Sequence, residues 1–408
     1  MTAREYPVFT VTPKAERSLR AGHPWVYGEE VTAVEGAYQN GDMVDVVSNK
    51  GRYLGTGWVN DHSKIRVRII SRNANDTFDE AFFRRRVCYA LNYRKTVMGP
   101  VDYRCCRLIF GEADQFPGLT VDRFENILVT QVLSLGMERR KDWVYRALVE
   151  LLREDGEQID AIYERNDVTI RTLEGLEQGK GFYQMEGLRT DLSGHVTITE
   201  NGIKYDVDYM EGQKTGFFLD QKYNRQAAAK LARGRRVLDC FTHTGAFALN
   251  AAAAGAEHVT AVDVSAFALE LAAENGKRNG LTNLDYKCAD VFDLLTEMAK
   301  EKKCDYDYII LDPPAFTKSR ATAKNAYHGY KEINRKAMRL LPRGGYLATC
   351  SCSHFMTDEM FRKMLQEAAL DAGVTLRQIE ARQQAPDHPI LPGVPETDYL
   401  KFYLLQVV

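Results

Sequence analysis

The most restrictive feature of this sequence is a regular alternation of strand-like and helical segments over residues 235–372. The strand-like runs are "RRVLDCF", "HVTAVDV", "LDYKCAD", "YDYIILD" and "GGYLATCS", and helical periodicity follows at residues 246–254, 266–279, 291–302, 327–341 and 357–372. Strands that alternate with helices at this spacing form a parallel sheet covered on both faces. The sequence therefore predicts an α/β fold with a doubly wound sheet, which binds ligands beyond the carboxyl ends of its strands.

An aspartate stands at or just past the end of each of the first four predicted strands. These residues are Asp239, Asp263, Asp290 and Asp312. A single aspartate at such a position is most often a helix cap. Four of them at one edge of one sheet indicate a ligand that offers hydroxyl and amino groups as donors, rather than phosphates.

The turn after the first strand, "THTGAF", argues against a dinucleotide. A pyrophosphate needs backbone N–H groups brought close by a G-x-G-x-x-G loop, and this turn supplies only Gly245. Asp263, 24 residues after Asp239, stands where an acid would hold a ribose diol, and Asp290 stands where one would face an adenine amino group. The pattern predicts S-adenosyl-L-methionine as cofactor, contacted by these acids and by Thr244 and Gly245 of the turn.

The chain of 408 residues is too long for one ordinary hydrophobic core. Residues 1–72 contain short strands with glycine at the joints, which predicts a small β module. Residues 73–190 mix a helical segment with hairpin-like strands and predict a middle α+β domain. A third domain, residues 191–408, is predicted to open with a tight hairpin at Asn201-Gly202 and to hold the doubly wound sheet.

Composition limits the remaining classes of protein. No window is apolar and long enough to span a membrane, and the N-terminus lacks a signal peptide, so we expect a cytoplasmic protein with free thiols and no membrane partner. The net charge of −2 gives no reason to expect nucleic acid, but residues 1–100 carry 15 Lys and Arg against 11 Asp and Glu, including "KIRVRIISR" and "FFRRRV". A solvated surface and an RNA-binding surface explain this excess equally well.

Several motifs together resemble one family. "EGQKTGFFLDQ", "VLDCFTHTGAFALNAAAAGAEHVTAVDVS", "IILDPPAF" and "SCSH" resemble the bacterial large-subunit ribosomal RNA cytosine-5 methyltransferases, which are class I enzymes that use S-adenosylmethionine. "GHPWVY" and "GRYLGTGW" resemble the PUA domain of that family, an RNA-binding barrel, and "GEADQFPGLTVDRF" resembles its middle domain. The resemblance covers nearly the whole chain. It implies ribosomal RNA as substrate and implies that Lys214 and Phe218 close over the cofactor.

Two cysteines, Cys350 and Cys352, flank a serine at the end of the fifth predicted strand. Cysteine is a small hydrophobe that packs well in cores, so the pair could be structural. Strand alternation would place both side chains on one face, so periodicity does not distinguish them. The C-x-C-x-H spacing offers three metal ligands, but no second cysteine pair follows at a usual distance, and we expect no metal.

Methylation of a pyrimidine at C5 gives such a cysteine a role. A thiolate that adds to C6 makes C5 nucleophilic enough to take a methyl group. "SCSH" matches the family pattern at Ser351 to His354, so the resemblance assigns the nucleophile to Cys352, with Cys350 as the alternative. In two-cysteine RNA enzymes a cysteine follows the proline pair, but this chain has Ala315 there, which leaves open how the adduct is resolved.

Two residues beside the proline pair are further candidates. Asp312 either shapes the rigid turn or hydrogen-bonds the N3/N4 edge of cytosine, and the second role is favoured because the prolines already fix the turn. Phe316 is expected to stack on a base that has been flipped out of its strand.

Other functions remain open at this stage. An RNA methyltransferase acting on a guanine nitrogen needs the same cofactor site but no cysteine. A dinucleotide-dependent oxidoreductase is opposed by the single glycine of "THTGAF". A non-catalytic RNA-binding protein is opposed by the acids at all four strand ends. A homodimer is compatible with the sequence.

Overall fold

The computed structural model describes residues 5–301, 304–317, 319 and 322–408, which form two compact units. The first unit contains Met1–Ile198, Val207–Leu219 and Pro386–Thr397, and the second contains Thr199–Asp206, Asp220–Ala385 and Asp398–Val408. A segment near the C-terminus thus belongs to the unit that holds the N-terminus, a return that sequence periodicity does not report. The division into domains at residues 72 and 190 stays a prediction.

The N-terminal part of the first unit is a six-stranded sheet with one helix. Its elements are β1 (Val8–Val11), α1 (Pro13–Arg20), β2 (Trp25–Tyr27), β3 (Val31–Glu35), β4 (Met43–Ser48), β5 (Tyr53–Val59) and β6 (Ile65–Ser71). The strand order is β2-β6-β5-β4-β1-β3. Phe9, Val44 and Val67 are fully buried in its core. The small β module expected from the glycine-jointed strands is confirmed.

The rest of the first unit combines a five-stranded sheet with helices. Its elements are α2 (Glu80–Val97), β7 (Cys105–Phe110), β8 (Leu119–Phe124), β9 (Ile127–Val132), α3 (Leu135–Glu138), α4 (Lys141–Glu154), β10 (Ala161–Asn166) and β11 (Gly179–Phe182). The strand order is β11-β10-β9-β8-β7. Helix α2 begins after Asp79, whose side chain accepts a hydrogen bond from the Phe82 backbone N–H at 2.9 Å, as expected for an N-cap.

The predicted hairpin at Asn201-Gly202 is confirmed. It joins β12 (His195–Glu200) to β13 (Ile203–Asp208). Asn201 has φ 53° and Gly202 has φ 80°, which are the positive values that a tight primed turn requires.

The second unit contains a seven-stranded sheet with helices between the strands. Its elements are α5 (Lys222–Ala229), β14 (Arg236–Cys240), α6 (Ala246–Ala253), β15 (His258–Asp263), α7 (Ala266–Arg278), β16 (Leu284–Cys288), α8 (Val291–Glu301), β17 (Tyr308–Leu311), α9 (Ala323–Leu340), β18 (Tyr346–Ser351), α10 (Asp358–Ala372), β19 (Leu376–Arg382) and β20 (Lys401–Val407). The predicted helices are confirmed to within four residues at each end, although residue 302, the last of one predicted helix, lies outside the described residues.

The order of this sheet is β16-β15-β14-β17-β18-β20-β19. The first five strands in this order run parallel, and β20 pairs antiparallel with both β18 and β19. The predicted parallel, doubly wound sheet is therefore confirmed, with an antiparallel edge added by the C-terminal residues. The strand order reverses between β14 and β17, and such a switch point is where open α/β sheets bind ligands.

Both faces of this sheet are buried, which explains why its strands read as continuous apolar runs. One core cluster joins Leu238, Ile309 and Leu347 to helices α8, α9 and α10. A second core cluster, formed by the alternate residues of these strands, joins Val237 and Cys350 to helices α5 and α6. No helix of the described residues is long and apolar enough to cross a lipid bilayer.

Candidate active site

The carboxyl end of β14 is organised by Asp239, which is fully buried. Its Oδ2 accepts hydrogen bonds from the Thr242 hydroxyl at 2.5 Å and from the Ala248 backbone N–H at 2.9 Å. Its Oδ1 is also buried and has no partner among the described residues. Burial raises the pKa of this carboxyl group to about 7, and the neighbouring Asp312 adds to the rise. Asp239 thus offers a buried acceptor that a ligand can satisfy.

The turn after β14 has an unusual backbone. Phe241, His243 and Gly245 adopt positive φ values of 64°, 51° and 83°. A Cβ atom on Gly245 would stand 2.9 Å from the Cβ of Ala272 and 3.2 Å from Leu249, so glycine is required for close packing as well as for φ. Thr244, beside it, is half-buried.

Asp263 ends β15 and connects two loops at the sheet edge. Its Oδ2 accepts a hydrogen bond from the His243 backbone N–H, and its Oδ1 accepts one from the Ser265 N–H, both at 2.9 Å. The carboxylate therefore helps to fix the turn after the neighbouring strand. Each oxygen retains a further lone pair for a ligand.

Asp290 is exposed and caps helix α8. Its Oδ1 accepts hydrogen bonds from the backbone N–H groups of Phe292 at 2.7 Å and Asp293 at 3.1 Å. The common structural role of an aspartate at a helix start is thus present here. Contact with an adenine amino group stays a prediction.

Asp312 follows β17 and lies in a polar network. Gln221 Nε2 donates to its Oδ1 at 3.0 Å, and the Cys350 thiol also hydrogen-bonds to this carboxylate. Burial is the main cause that raises the pKa of Asp312 to about 6, and the negative charge of Asp220 is the next. A carboxyl group with such a pKa exchanges a proton near neutral pH.

The two cysteines of the fifth strand have different surroundings. Cys350 lies within β18 and is fully buried, and burial raises the pKa of its thiol well above the ordinary value. Cys352 lies just past the end of the strand and is partly exposed, with Sγ 3.9 Å from the Pro313 carbonyl oxygen. Strand alternation had left the two equivalent. Because β18 ends at Ser351, only Cys352 lies at the carboxyl edge of the sheet, beside the proline pair.

Phe316 belongs to an aromatic cluster. Its ring centroid lies 4.5 Å from that of Tyr330 on α9 and 5.7 Å from that of Phe292. A Cβ on Gly329 would stand 3.2 Å from the Phe316 ring, so the ring packs closely on the helix. It is half-buried, which leaves part of its surface accessible. Stacking on a flipped base stays a prediction.

Lys214 and Phe218 belong to the first unit, together with the rest of Val207–Leu219. The Lys214 ammonium lies 4.4 Å from the centroid of the Phe218 ring, as in a cation–π contact. Lys214 has a positive φ of 54°. Their closure over the cofactor stays a prediction.

The arginines of "KIRVRIISR" are engaged within the first unit. Arg66 bonds to Asp61 at 2.7 Å, Arg68 bonds to Glu174 at 2.5 Å, and Arg72 donates to backbone carbonyl oxygens. The three arginines of "FFRRRV" also bond within this unit. These partners account for much of the basic excess without an RNA contact.

Comparison with known proteins decides the family. Residues 183–405 match the model of an S-adenosylmethionine-dependent methyltransferase, and residues 9–72 match a PUA-like domain. The protein named ribosomal RNA large subunit methyltransferase I from Pseudoalteromonas atlantica is 40% identical over 98% of this chain and 99% of its own. The chain belongs to this methyltransferase family. The predicted combination of a PUA-like domain, a class I methyltransferase fold and S-adenosylmethionine as cofactor is confirmed.

Other relatives agree with this assignment. The protein of the same name from Shewanella denitrificans is 42% identical over 97% of this chain and 98% of its own. A solved structure from Streptococcus mutans, described as a proposed S-adenosylmethionine-dependent methyltransferase, has a TM-score of 0.81 at 22% identity and covers 98% of this chain and 100% of that one. A second, described as a proposed methyltransferase complexed with SAH, has a TM-score of 0.82, the same identity and the same coverage. These structures support the fold.

The site fits the cofactor of this methyltransferase family. The buried Oδ1 of Asp239 has no partner among the described residues, and the turn after β14 lacks the glycines that a pyrophosphate needs. Among the same residues, no group of three or more His, Cys, Asp and Glu side chains could hold a metal ion. The dinucleotide interpretation is therefore not favoured.

Sequence reasoning missed four residues at this edge of the sheet. Thr242 bonds to Asp239, Gln221 bonds to Asp312, Val264 follows Asp263 and is 72% exposed, and Lys401 lies beside the end of β18. Val264 gives no signal in the sequence, because its exposure is visible only in the structure and single apolar residues are common at protein surfaces. Gln221 and Lys401 depend on contacts between distant parts of the chain, whereas Thr242 lies only three residues after its partner Asp239.

Proposed function

We propose that this chain methylates C5 of a cytosine in large-subunit ribosomal RNA, with Cys352 as the nucleophile. The relatives named ribosomal RNA large subunit methyltransferase I support the RNA substrate, since the identity extends over nearly the whole of both chains. The observation that carries the cytosine assignment is the position of Cys352. Cys352 is partly exposed, and its Sγ lies beside Pro313, at the strand ends where a class I fold binds its cofactor.

The reaction that this cysteine enables has three steps, which are addition, methyl transfer and elimination. S-adenosylmethionine supplies a methyl group bonded to a positively charged sulfur. The Cys352 thiolate forms a bond to C6 of the cytosine, and the displaced electron pair makes C5 nucleophilic enough to take the methyl group. The bond between sulfur and methyl breaks in this transfer, and its electron pair stays on the sulfur, which becomes neutral. The C5 proton then leaves to a base, and its electron pair re-forms the double bond and expels the Cys352 thiolate.

Asp312 is suited to assist the addition. As the thiolate attacks, negative charge develops on the N3/N4 edge of the ring, and a positioned acid can hydrogen-bond to it. The raised pKa of about 6 and the bond from Gln221 support this role, because the group is held in place and can carry a proton near neutral pH. Phe316 then stacks on the base once it has left its strand.

The cofactor is held at the ends of β14, β15 and β16 in this proposal. Asp239 and Asp263 accept hydrogen bonds from the hydroxyl and amino groups of S-adenosylmethionine, and Asp290 faces its adenine. The exposed apolar side chain of Val264 suits the flat face of that ring. Thr244 and Gly245 line the turn beside the cofactor.

We further infer that the N-terminal PUA-like domain contributes RNA affinity. We also propose a cytoplasmic location, which is compatible with a ribosomal RNA substrate. A homodimer stays a prediction, and the number of copies in solution can be measured by light scattering.

RNA that carries 5-fluorocytosine tests the proposal directly. Fluorine cannot leave C5 as a proton does, so an enzyme that uses Cys352 should remain covalently bound to this RNA. Cys352→Ala should abolish both the adduct and the turnover, while its affinity for S-adenosylmethionine should change little. The adduct is detected as a band that survives denaturing electrophoresis.

Cys350→Ala is the matched control, because it removes a thiol two residues away within the sheet. This variant should still form the adduct, although it loses a donor to Asp312 and leaves a small cavity. Loss of the adduct in Cys350→Ala alone would reassign the nucleophile. Normal methylation by both variants would contradict the thiolate mechanism and favour a guanine nitrogen as the methyl acceptor.

A further inference from the structure

A buried lysine lies next to the proposed nucleophile. Lys401 begins β20 and is only 3% exposed, which is rare for a lysine. Its ammonium donates to the Ser353 carbonyl oxygen at 2.6 Å and to the Tyr399 carbonyl oxygen at 2.9 Å. An ammonium group has three donors, and the described residues account for two of them here.

The register of the sheet brings this ammonium to Cys352. Lys401 pairs with Ser351 across β18 and β20, and it also bonds to Ser353, so it is linked to the residues on both sides of Cys352. The Cys352 sulfur also lies 3.9 Å from the Pro313 carbonyl oxygen. The nucleophile therefore lies beside the proline pair and interacts electrostatically with a buried cation.

The charge of this lysine survives its burial. Desolvation lowers the pKa of Lys401 to about 8, while Asp398, Cys352 and Asp358 oppose the shift. The group therefore remains mostly protonated at neutral pH. Tyr330 and Cys350, which also interact with Cys352, have raised pKa values and are uncharged there.

We propose that Lys401 is a positioning residue that fixes the Cys352 segment through its hydrogen bond to the Ser353 carbonyl oxygen and stabilises the Cys352 thiolate with its positive charge. The inference rests on the proposed role of Cys352 as nucleophile. A thiol beside a cationic side chain loses its proton more readily than a free cysteine. Lys401 supplies this effect only while it is charged, so the effect fades above about pH 8.

The pH dependence of cysteine alkylation tests this role without RNA. Iodoacetamide reacts with the thiolate, and mass spectrometry with peptide fragmentation separates Cys352 from Cys350. The Cys352 midpoint is the pH at which the alkylation rate of Cys352 reaches half of its maximum. In the unmodified chain, this midpoint should lie below about 8.5, the ordinary pKa of a cysteine thiol. Lys401→Met, which keeps an unbranched side chain one atom shorter but removes its charge, should raise the midpoint by about one pH unit or more.

Two further variants separate charge from packing. Lys401→Arg keeps the positive charge and should stay closer to the unmodified chain than Lys401→Met does. Lys331→Met removes a lysine from α9 that pairs with Glu367 and Asp371, and it should leave the Cys352 midpoint unchanged.

The outcomes are distinct. A folded Lys401→Met with an unchanged midpoint refutes the inference. If that variant does not fold, the Cys352 midpoint of the unmodified chain provides the test. A midpoint at or above the ordinary pKa of a cysteine thiol also refutes the inference. The 5-fluorocytosine adduct reports on the nucleophile separately: an adduct with an unshifted midpoint contradicts the role of Lys401 alone, and the absence of any adduct contradicts the proposed function.

Discussion

Replacement of Gly245 by alanine should damage the cofactor site more than its small size suggests. Gly245 precedes helix α6 with φ 83°, in the turn that also contains His243 and that begins beside Asp239. An added Cβ would stand 2.9 Å from Ala272 Cβ on α7, which is closer than real Cβ contacts. Either α6 or α7 must therefore move, and the turn between β14 and α6 moves with it.

The expected loss of stability has two parts. A left-handed backbone costs a residue with a Cβ about 1–2 kcal/mol. Insertion of an atom into a packed contact costs about 1–3 kcal/mol more. Gly280→Ala is the matched control, because Gly280 also has a positive φ, 66°, but no atom within 4 Å of the added Cβ. The difference between the variants, about 1–3 kcal/mol, isolates the packing contribution.

Hydrogen exchange read by mass spectrometry can measure this loss within the second unit. Tryptophan fluorescence does not report on that unit, since Trp25, Trp58 and Trp143 all lie in the first. Amides of α6 and α7 should exchange faster in Gly245→Ala than in Gly280→Ala, and calorimetry should show weaker binding of S-adenosylmethionine in the first variant alone. Equal exchange and equal affinity in both variants would refute the packing argument.

Three further predictions concern cofactor and RNA. Asp263→Ala should weaken S-adenosylmethionine binding at least tenfold in calorimetry, about 1.4 kcal/mol, and unchanged affinity would remove Asp263 from the site. The cofactor should bind more weakly below pH 7 than above it, because burial raises the pKa of Asp239 to about 7 and protonation removes its negative charge. In Asp239→Asn this pH dependence should be weaker, and an identical pH profile in the two proteins would contradict the role of Asp239. Replacement of the exposed Lys50, Arg52 and Lys64 by Gln should make RNA binding less dependent on salt. The slope of the logarithm of the binding constant against the logarithm of the salt concentration should become shallower by about 0.7–0.9 for each lost phosphate contact, and equal slopes would place the RNA contacts elsewhere.

The second unit could be predicted in detail because its signals are local. Helix periodicity, the apolar strands and the aspartates at the strand ends are all properties of short windows, and the structure confirms the parallel strands that they predict. The antiparallel edge formed by β19 and β20 has no such signal. A short apolar run such as "FYLLQVV" is compatible with a strand of either direction, and only its pairing with β18 decides.

The residues around the proposed nucleophile show the same limit. Gln221 reaches Asp312 from a segment 91 positions earlier in the chain, and Lys401 reaches Ser353 from 48 positions later. Gln221 ends the motif "EGQKTGFFLDQ", but neither contact can be read from sequence neighbours, because only the folded chain brings each residue to its partner.

The separation of Cys350 from Cys352 depends on one local event, the end of a strand. Side chains two residues apart share a face only while the strand continues. β18 ends at Ser351, so Cys350 remains in the core while Cys352 enters a loop that Lys401 anchors. The burial that raises the pKa of the Cys350 thiol makes it a poor nucleophile, whereas the adjacent cation favours the thiolate of Cys352. In the proposed mechanism, the same strand end that distinguishes the two thiols therefore also determines which one reacts.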